Sequence, residues 1–269
     1  MKKANGFITL MTDFGLTDGF VGAMKGVIYS INPKAIITDI THDINPYNML
    51  GAAFIFDSVY RFFPKGTVHL VVVDPGVGSE RNALAIETED YYFVAPDNGV
   101  LSIAIEREKV IKIIELSKPE YFINKVSNTF HGRDIFAPIS ANLSLGVDID
   151  LLGNRLSDIV KISNPKPQFT DDKMIGEIIY IDRFGNLITN ISMELIEKFA
   201  NDKKIAIKVG NKTICQISRS YADVSVGKLL AIFNSFGKLE IALNSASASK
   251  ILSVQKGDPV IIQISDEQK

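Results

Sequence analysis

The chain has 269 residues, of which 46% are hydrophobic and 22% are charged. These proportions are typical of a folded globular protein with one large domain or two modest ones, and they exclude a disordered, collagen-like or coiled-coil chain. Because 29 Lys and Arg nearly balance 31 Asp and Glu, for a formal charge of -2, there is no net positive field that would attract nucleic acid or an anionic membrane.

The first half of the chain alternates strand and helix patterns. Phe7 to Met11 predicts a strand, and Phe20 to Ile31 has apolar residues spaced for one helix face. Ile36 to Ile40 predicts a second strand, Asn48 to Phe63 a helix, and Thr67 to Val73 a central strand covered on both faces. The order strand, helix, strand, helix, strand predicts a parallel sheet.

Two more strands and a helix are predicted before the middle of the chain. The strands are Ala83 to Glu87 and Tyr92 to Ala95, and the helix follows Asp134, which we interpret as its N-cap. Residues 163–172 then form a polar stretch with two prolines, which stop both helices and central strands. This stretch is the predicted linker.

The linker separates an N-terminal α/β domain, residues 1–162, from a C-terminal β-rich domain, residues 173–269. The second domain has one predicted helix near Ser192 to Phe199 and short β runs that predict a small sandwich or barrel. These runs are Ile175 to Ile181, Ile205 to Val209, Thr213 to Ile217, Leu229 to Phe233 and Val260 to Ile264. The single cysteine, Cys215, excludes an intramolecular disulfide framework, and we interpret it as a small buried hydrophobic residue.

Polar residues gather where the predicted strands end, which is where ligands bind in parallel α/β sheets. Taken singly, each cluster also fits a structural role, since Asp13 and Asp43 are residues typical of the caps of turns or helices. Gly76 and Gly78 lack the third glycine of a phosphate-binding loop. The clusters are Thr12 to Gly19, Thr41 to Tyr47, Asp74 to Arg81 and Asn128 to Asp134.

The three histidines have different predicted roles. His69 lies inside a strand and is interpreted as a core residue, whereas His42 and His131 lie in loops at the predicted ligand edge. A metal site made from His42, Asp43 and Asp74 is conceivable, but the chain has no HExxH motif. We therefore expect no metal.

In the second half, Asp182, Phe184 and Asn186 lie between two β runs. They fit the tip of a hairpin, and Asn234 to Glu240 fits a second one. An aromatic ring beside amide and carboxylate groups also suits a purine, stacked on its face and hydrogen-bonded at its edge. The residues alone therefore indicate a small-molecule site at a sheet edge, with a nucleoside as one option.

Six motifs occur in order between about Phe7 and Ile264. They are Thr12 to Gly15, Asp39 to His42, Val73 to Gly78, Ala95 to Gly99, Thr129 to Asp134 and Ile181 to Asn186. Together they resemble the S-adenosyl-L-methionine (SAM) hydroxide adenosyltransferases, also called SAM hydrolases, which are relatives of fluorinase and chlorinase. The resemblance implies a homotrimer whose active sites lie between one subunit's N-terminal domain and its neighbour's C-terminal domain.

The resemblance maps a catalytic triad onto Asp74, Arg81 and His131. In the halogenating relatives the Asp and His positions hold other residues, typically tyrosines, and fluorinase has an extra loop in its N-terminal domain. Because neither departure occurs here, hydrolysis is favoured over halogenation.

The resemblance also implies which residues contact the substrate. In the N-terminal domain, Asp13 would bind the ribose hydroxyls, Tyr47 and Phe130 would line the pocket, and Asp18 would bind the methionine ammonium. Five contacts would come from the neighbouring subunit: Asp182 to the ammonium, Asn186 to the adenine edge, Phe184 and Tyr221 to the adenine faces, and Ser235 to the carboxylate. Fluorinase has an arginine where this chain has Phe236, so backbone donors or another side chain would have to bind that carboxylate.

The implied reaction releases methionine as a neutral thioether, so the leaving group needs no proton, metal or cofactor. Asp74 would accept a proton or orient the water, His131 would relay the proton, and Arg81 would hold Asp74. We therefore predict a cytoplasmic hydrolase that converts SAM to adenosine and L-methionine, without a nucleic-acid or membrane partner. The alternatives are a halide-dependent 5′-adenosyl transferase and a non-catalytic SAM- or adenosine-binding protein.

Overall fold

The computed structural model describes residues 3–264 and divides the chain into two compact units. The first unit runs to Ser163 and the second begins at Asn164. Within the predicted linker, Gln168–Phe169 forms a two-residue strand that pairs with the following strand. Over residues 3–264, no helix is both long enough and apolar enough to cross a membrane.

The first unit is a mixed sheet with helices on both faces. Its described elements are β1 (Phe7–Thr12), α1 (Phe20–Ile31), β2 (Ile36–Thr41), α2 (Met49–Val59), β3 (Val68–Val72), β4 (Ala83–Thr88), β5 (Tyr92–Pro96), α3 (Ser102–Ile105), β6 (Val110–Leu116), α4 (Ala137–Ser144) and β7 (Gly153–Arg155). The strand order is β2-β1-β3-β5-β4-β6-β7. The first four strands in that order are parallel, as the strand and helix pattern predicts, and β4, β6 and β7 extend the sheet antiparallel.

The central strand β3 is buried along its whole length. Val68, Leu70 and Val72 pack on the α1 and α4 side, whereas Val71 and Val73 pack on the α2 and α3 side. Successive side chains of a strand point to opposite faces, so a continuous apolar run is what two covered faces require. The prediction of a doubly covered strand is confirmed.

Two helix predictions in this unit need correction. The predicted helix from Asn48 to Phe63 ends as an α-helix at Val59 and continues as a 3₁₀ turn, Tyr60–Phe62. Asp134 is not an N-cap: it lies inside a π-helical turn, Gly132–Phe136, that leads into α4. Its carboxylate instead accepts a hydrogen bond from the Ser127 backbone and pairs with Arg133, which closes the preceding loop.

The second unit is a nearly closed, barrel-like sheet. Its described elements are β8 (Gln168–Phe169), β9 (Lys173–Ile181), β10 (Leu187–Ser192), α5 (Met193–Ala200), β11 (Ile205–Val209), β12 (Lys212–Ile214), β13 (Ile217–Ser218), β14 (Leu229–Phe233), β15 (Lys238–Leu243), α6 (Ala248–Leu252) and β16 (Pro259–Ile264). The strand order is β12-β11-β16-β9-β10-β15-β14-β13, with β8 beside β9.

Both predicted hairpins are present in this unit. β9 pairs with β10 around the Asp182 to Asn186 turn, and β14 pairs with β15 around the Asn234 to Gly237 turn. The interpretation of Cys215 as buried is wrong, because the chain bends between β12 and β13 and leaves it exposed.

Candidate active site

The three triad residues lie at the carboxyl end of the parallel strands. Asp74 follows β3, Arg81 precedes β4, and His131 precedes the π-helical turn. The loop between Asp74 and Arg81 packs tightly against the segment that carries His131. A Cβ atom at Gly78, which has a φ of 78°, would lie 2.4 Å from the Asn128 carbonyl oxygen, so this close approach requires glycine.

The guanidinium group of Arg81 connects the triad. Its Nε donates to Asp74 Oδ1 at 2.7 Å, and its Nη2 makes a second, shorter contact with Asp74 Oδ2. Nη1 donates to the Asn82 carbonyl oxygen at 3.1 Å, and Nη2 also lies 3.0 Å from His131 Nδ1. Both charged side chains are largely shielded from solvent, which strengthens such a bidentate pair.

The contact with Arg81 determines which ring nitrogen of His131 carries the proton. Guanidinium only donates hydrogen bonds, so Nδ1 of His131 accepts and Nε2 carries the proton of the neutral ring. Burial first, and the positive charge of Arg81 second, lower the pKa of His131 below 6.5. Near neutral pH, His131 is therefore an uncharged hydrogen-bond donor.

Asp74 and His131 line a cavity of about 150 Å³ with otherwise mainly apolar walls. Phe14, Phe20 and Phe130 form one side of it, with ring centroids 5.2 to 5.8 Å apart in tilted and edge-to-face arrangements. Sequence reasoning assigned a role to Phe130 and missed Phe14 and Phe20. Phe14 lies in the Thr12 to Gly15 motif, but nothing in the sequence shows that the three rings meet.

Asp13 follows β1 and lies close enough to Asp74 for their charges to interact. Burial raises its pKa, hydrogen bonds from its own backbone and that of Tyr47 lower it, and the negative charge of Asp74 raises it further. Tyr47 adopts a φ of 65°, and its side chain is exposed. Asp18 is exposed in the loop before α1.

His42 has a structural role in the same region. It is buried, its Nδ1 lies 2.8 Å from Thr12 Oγ1, and its Nε2 lies 3.1 Å from Asp39 Oδ1. Its carbonyl oxygen accepts from the Gly15 backbone, so the two loops are joined. Among residues 3–264, no three His, Cys, Asp or Glu side chains cluster as metal ligands, so His42, Asp43 and Asp74 do not form the conceivable metal site.

The second unit has a larger cavity of about 510 Å³. Three of its lining residues, Phe184, Asn186 and Tyr221, are those that the resemblance assigns to adenine, and Ser247 contributes to the wall. A Cβ atom at Gly185 would lie 2.0 Å from Ser247 Oγ, so glycine allows this hairpin turn to approach the segment before α6.

Asp182 organises the hairpin turn beside this cavity. Its Oδ1 accepts from the backbone N–H groups of Phe184 and Asn186, and its Oδ2 accepts from Asn186 Nδ2 at 3.0 Å. A carboxylate only accepts hydrogen bonds, so the amide nitrogen of Asn186 must face Asp182 and its oxygen must face away. Asp182 therefore sets the polarity that Asn186 presents to a ligand.

Glu240 is a buried residue behind the cavity that sequence reasoning missed. Tyr221 Oη donates to Glu240 Oε1 at 2.6 Å, which orients the Tyr221 ring. Burial raises the pKa of Glu240, and the nearby charge of Asp182 raises it further. Ser235 and Phe236 are exposed in the β14–β15 turn, outside the residues that line this cavity.

The sequence matches two family models that together cover most of the chain. Residues 8–153 match the SAM hydroxide adenosyltransferase N-terminal domain, and residues 176–261 match the corresponding C-terminal domain. The chain belongs to the SAM hydroxide adenosyltransferase family. The resemblance seen in the six motifs is thereby confirmed.

The proteins that are similar to this chain carry different names. It is 38% identical to a (R)-S-adenosyl-L-methionine hydrolase of Methanocaldococcus jannaschii, with 95% of each chain covered. It is 28% identical to a fluorinase of Nocardia brasiliensis, with 98% of this chain and all of that protein covered. A crystal structure of an uncharacterized conserved protein from Thermotoga maritima matches with a TM-score of 0.89 and 42% identity, covering 95% of this chain and 99% of that one.

Proposed function

We propose that this protein hydrolyses SAM to adenosine and L-methionine, without a metal or cofactor, by attack of water at C5′ of the adenosyl group. The observation that carries the proposal is the hydrogen-bonded set of Asp74, Arg81 and His131 beside a small, mainly apolar cavity. The SAM hydrolase of M. jannaschii, at 38% identity over nearly the full chain, supports it.

The reaction requires little from the protein besides an oriented water molecule. The water oxygen forms a bond to C5′, the C5′–S bond breaks, and its electron pair neutralises the sulfonium. The positive charge moves to the attacking oxygen, which loses one proton as adenosine forms. A group that orients the water and accepts this proton therefore supplies the main catalytic help.

The hydrogen bonds of Arg81 limit which proton transfers Asp74 and His131 can make. A relay through Nδ1 of His131 is disfavoured, because that atom faces a guanidinium that cannot accept a proton. We assign His131 the role of donating from Nε2 to the water oxygen. Asp74 retains lone pairs beyond those that Arg81 uses, so it is the group that accepts the released proton.

The remaining predicted contacts fit the substrate's chemistry. The carboxylate of Asp13, whose pKa responds to the charge of Asp74, suits ribose hydroxyls, and Phe130 supplies an apolar wall. Phe184 and Tyr221 provide aromatic faces, and Asn186 provides an acceptor for the adenine amino group. Asp18, Tyr47, Asp182 and Ser235 stay as predicted contacts.

We further propose that the protein is a homotrimer whose sites combine the first unit of one subunit with the second unit of its neighbour. Each unit carries part of the predicted contact set, and Phe184 and Tyr47 are 77% and 74% exposed, as unfilled contact surfaces would be.

Light scattering tests the assembly. Coexpression of His131→Ala and Asn186→Ala subunits tests the shared site, because some mixed sites regain both native halves. Recovered activity supports the shared site, and activity no higher than that of either variant contradicts it.

The halogenase alternative rests on relatives named fluorinase, such as that of Nocardia brasiliensis, which at 28% identity is less similar to this chain than the hydrolase at 38%. A cytoplasmic location stays a prediction.

The reaction itself is tested by incubating the protein with SAM in ¹⁸O-labelled water and measuring the masses of the products by mass spectrometry. The proposal expects one ¹⁸O in the 5′-hydroxyl of adenosine and none in methionine. Adenosine without the label would contradict attack of water at C5′.

A further inference from the structure

One of the six sequence motifs, Ala95 to Gly99, has no assigned part in the reaction. It lies at the carboxyl end of β5, and β5 lies between β3 and β4 in the sheet. The loop from Asp74 to Arg81 connects β3 to β4, so it must cross the end of β5. The residues that follow β5 are therefore placed between the two ends of the loop that carries the triad's ion pair.

Asn98 binds the first end of this loop. Its Nδ2 donates to the Val73 carbonyl oxygen at 2.8 Å, directly before Asp74. Its Oδ1 accepts from the Val100 backbone at 3.2 Å. An amide satisfies both groups because it has a donor on one side and an acceptor on the other.

Asp97 binds the second end of the loop. Its backbone N–H donates to the Asn82 carbonyl oxygen at 2.9 Å, and its Oδ2 accepts from Asn82 Nδ2 at 3.3 Å. That same Asn82 carbonyl oxygen accepts from Arg81 Nη1. Asp97 Oδ1 also accepts from the Val160 backbone at 2.8 Å, so the aspartate is itself fixed.

We propose that Asp97 and Asn98 are positioning residues for the triad: Asn98 fixes the backbone before Asp74, and Asp97 fixes the carbonyl oxygen that orients the Arg81 guanidinium. Arg81 then meets both Asp74 and His131 Nδ1 in one geometry. The inference rests on the proposed function where it concerns turnover. Its structural part, the placement of Arg81 against His131, stands independently.

The test begins with Asn98→Ala, which removes both side-chain hydrogen bonds. We expect kcat for SAM to fall by about 10- to 100-fold, the usual effect of a misplaced catalytic group, while the Kd for adenosine changes by less than about threefold. The matched control is Asn32→Ala. Asn32 is buried in the same unit and makes two comparable hydrogen bonds, to Ser144 and the Lys34 backbone, away from the triad.

A second pair of variants covers the case in which Asn98→Ala does not fold. Asp97→Ala keeps the backbone N–H that donates to the Asn82 carbonyl oxygen but removes the two carboxylate contacts that hold Asn82 and the Asp97 backbone in place, so it is expected to lower kcat by a similar factor. Asp97→Asn keeps an acceptor for Val160 and places an amide nitrogen against Asn82, whose own amide can rotate to present its oxygen. We therefore expect Asp97→Asn to retain kcat within about threefold.

The pKa of His131 reports on the position of Arg81, and it would not change if Asp97 and Asn98 only stabilised the fold. The chain has three histidines, so NMR titration of labelled histidine resolves His131. Withdrawal of Arg81 removes a positive charge, so the His131 pKa should rise toward 6.5 in Asn98→Ala and Asp97→Ala and stay unchanged in Asn32→Ala.

An unchanged His131 titration in both alanine variants would overturn the proposal. An equal loss of kcat in Asn32→Ala at equal loss of Tm would overturn it as well. If the wild-type protein did not cleave SAM, the proposed function would fail, and the His131 titration would still decide whether Asp97 and Asn98 place Arg81.

Discussion

Arg81 Nη2 lies 3.0 Å from Nδ1 of His131, and this contact places the proton of the neutral imidazole on Nε2. The same guanidinium binds both oxygens of Asp74 and the carbonyl oxygen of Asn82. The Arg81 side chain therefore orients both Asp74, the proposed proton acceptor, and His131, the proposed hydrogen-bond donor to the water. We therefore expect the geometry of Arg81 to matter as much as its charge.

Arg81→Lys tests this prediction, because lysine keeps the charge but cannot make these four contacts at once. We expect kcat for SAM to fall by about 10²-fold or more, with little change in the Kd for adenosine. Arg155→Lys is the matched control, since Arg155 makes a two-pronged contact with Asp150 on an exposed surface. Near-wild-type kcat in Arg81→Lys would contradict the prediction.

Substitution of His131 or Asp74, whose side chains contact Arg81, should affect the turnover of SAM more than the binding of adenosine. We expect His131→Ala and Asp74→Asn each to lower kcat by a factor on the order of 10²–10⁴, the usual contribution of positioned acid–base groups. Steady-state kinetics and adenosine binding measure the two effects separately. Turnover within about twofold of the wild type would remove the residue concerned from the mechanism.

The pH dependence follows from the direction of the His131 shift. Burial and Arg81 lower the pKa of His131, so its neutral form persists below pH 6.5. Protonation would place a second positive charge beside Arg81 and break the Nδ1 contact. We expect kcat to be flat from pH 8 to 6.5 and to fall only at lower pH. A midpoint above pH 6.5 in the pH profile of kcat would contradict this role.

The sequence predicted most of the first unit, because its strands and helices have strong apolar periodicity. It did not predict β6 and β7, which extend the sheet antiparallel with β6 beside β4 and β7 beside β6, since strand direction depends on pairing rather than on local pattern. The N-cap interpretation of Asp134 was wrong because its carboxylate bonds backward to the Ser127 backbone. The functions of Asn98 and Glu240 depend on contacts with residues far along the chain.

His69 makes a prediction about stability rather than activity. It is fully buried among aromatic rings, and burial lowers its pKa to about 3. Below pH 6.5 the unfolded chain binds a proton that the folded chain excludes, so stability falls as the pH falls. Between pH 6.5 and 5 this amounts to about 2 kcal/mol.

The Thr9→Val/His69→Phe double variant tests this contribution, because it removes both partners of the 2.8 Å hydrogen bond between Thr9 and His69. Chemical denaturation at pH 7 and pH 5 should show a smaller loss of unfolding free energy in the double variant than in the wild type. Equal losses in the two proteins would show that His69 does not cause the dependence.

The contact between Asp182 and Asn186 leads us to expect that the second unit prefers adenosine to inosine. In the wild type, the Asn186 oxygen faces away from Asp182, so it can accept from the amino group of adenine and disfavours the carbonyl oxygen of hypoxanthine. In Asp182→Asn, the new side chain can keep its oxygen in the turn and present its nitrogen to Asn186, whose amide then reverses.

We expect the ratio of adenosine to inosine affinity to fall by about tenfold or more in Asp182→Asn, because the fixed acceptor becomes a donor. Calorimetric titration with both nucleosides measures the ratio. Ser245→Ala, at another wall of the same cavity, is the control and should leave the ratio near that of the wild type. An unchanged ratio in Asp182→Asn would show that Asp182 does not set the polarity of Asn186.

The most direct test of the central claim is to incubate the purified protein with SAM, with and without chloride, beside His131→Ala, and to follow the products by chromatography. We expect equal amounts of adenosine and methionine from the wild type, independent of chloride, and a loss of activity of about 10²-fold or more in the variant. Unconsumed SAM despite tight adenosine binding would contradict hydrolysis and favour a binding protein. A halogenated adenosine formed only with chloride would contradict it in favour of halide transfer.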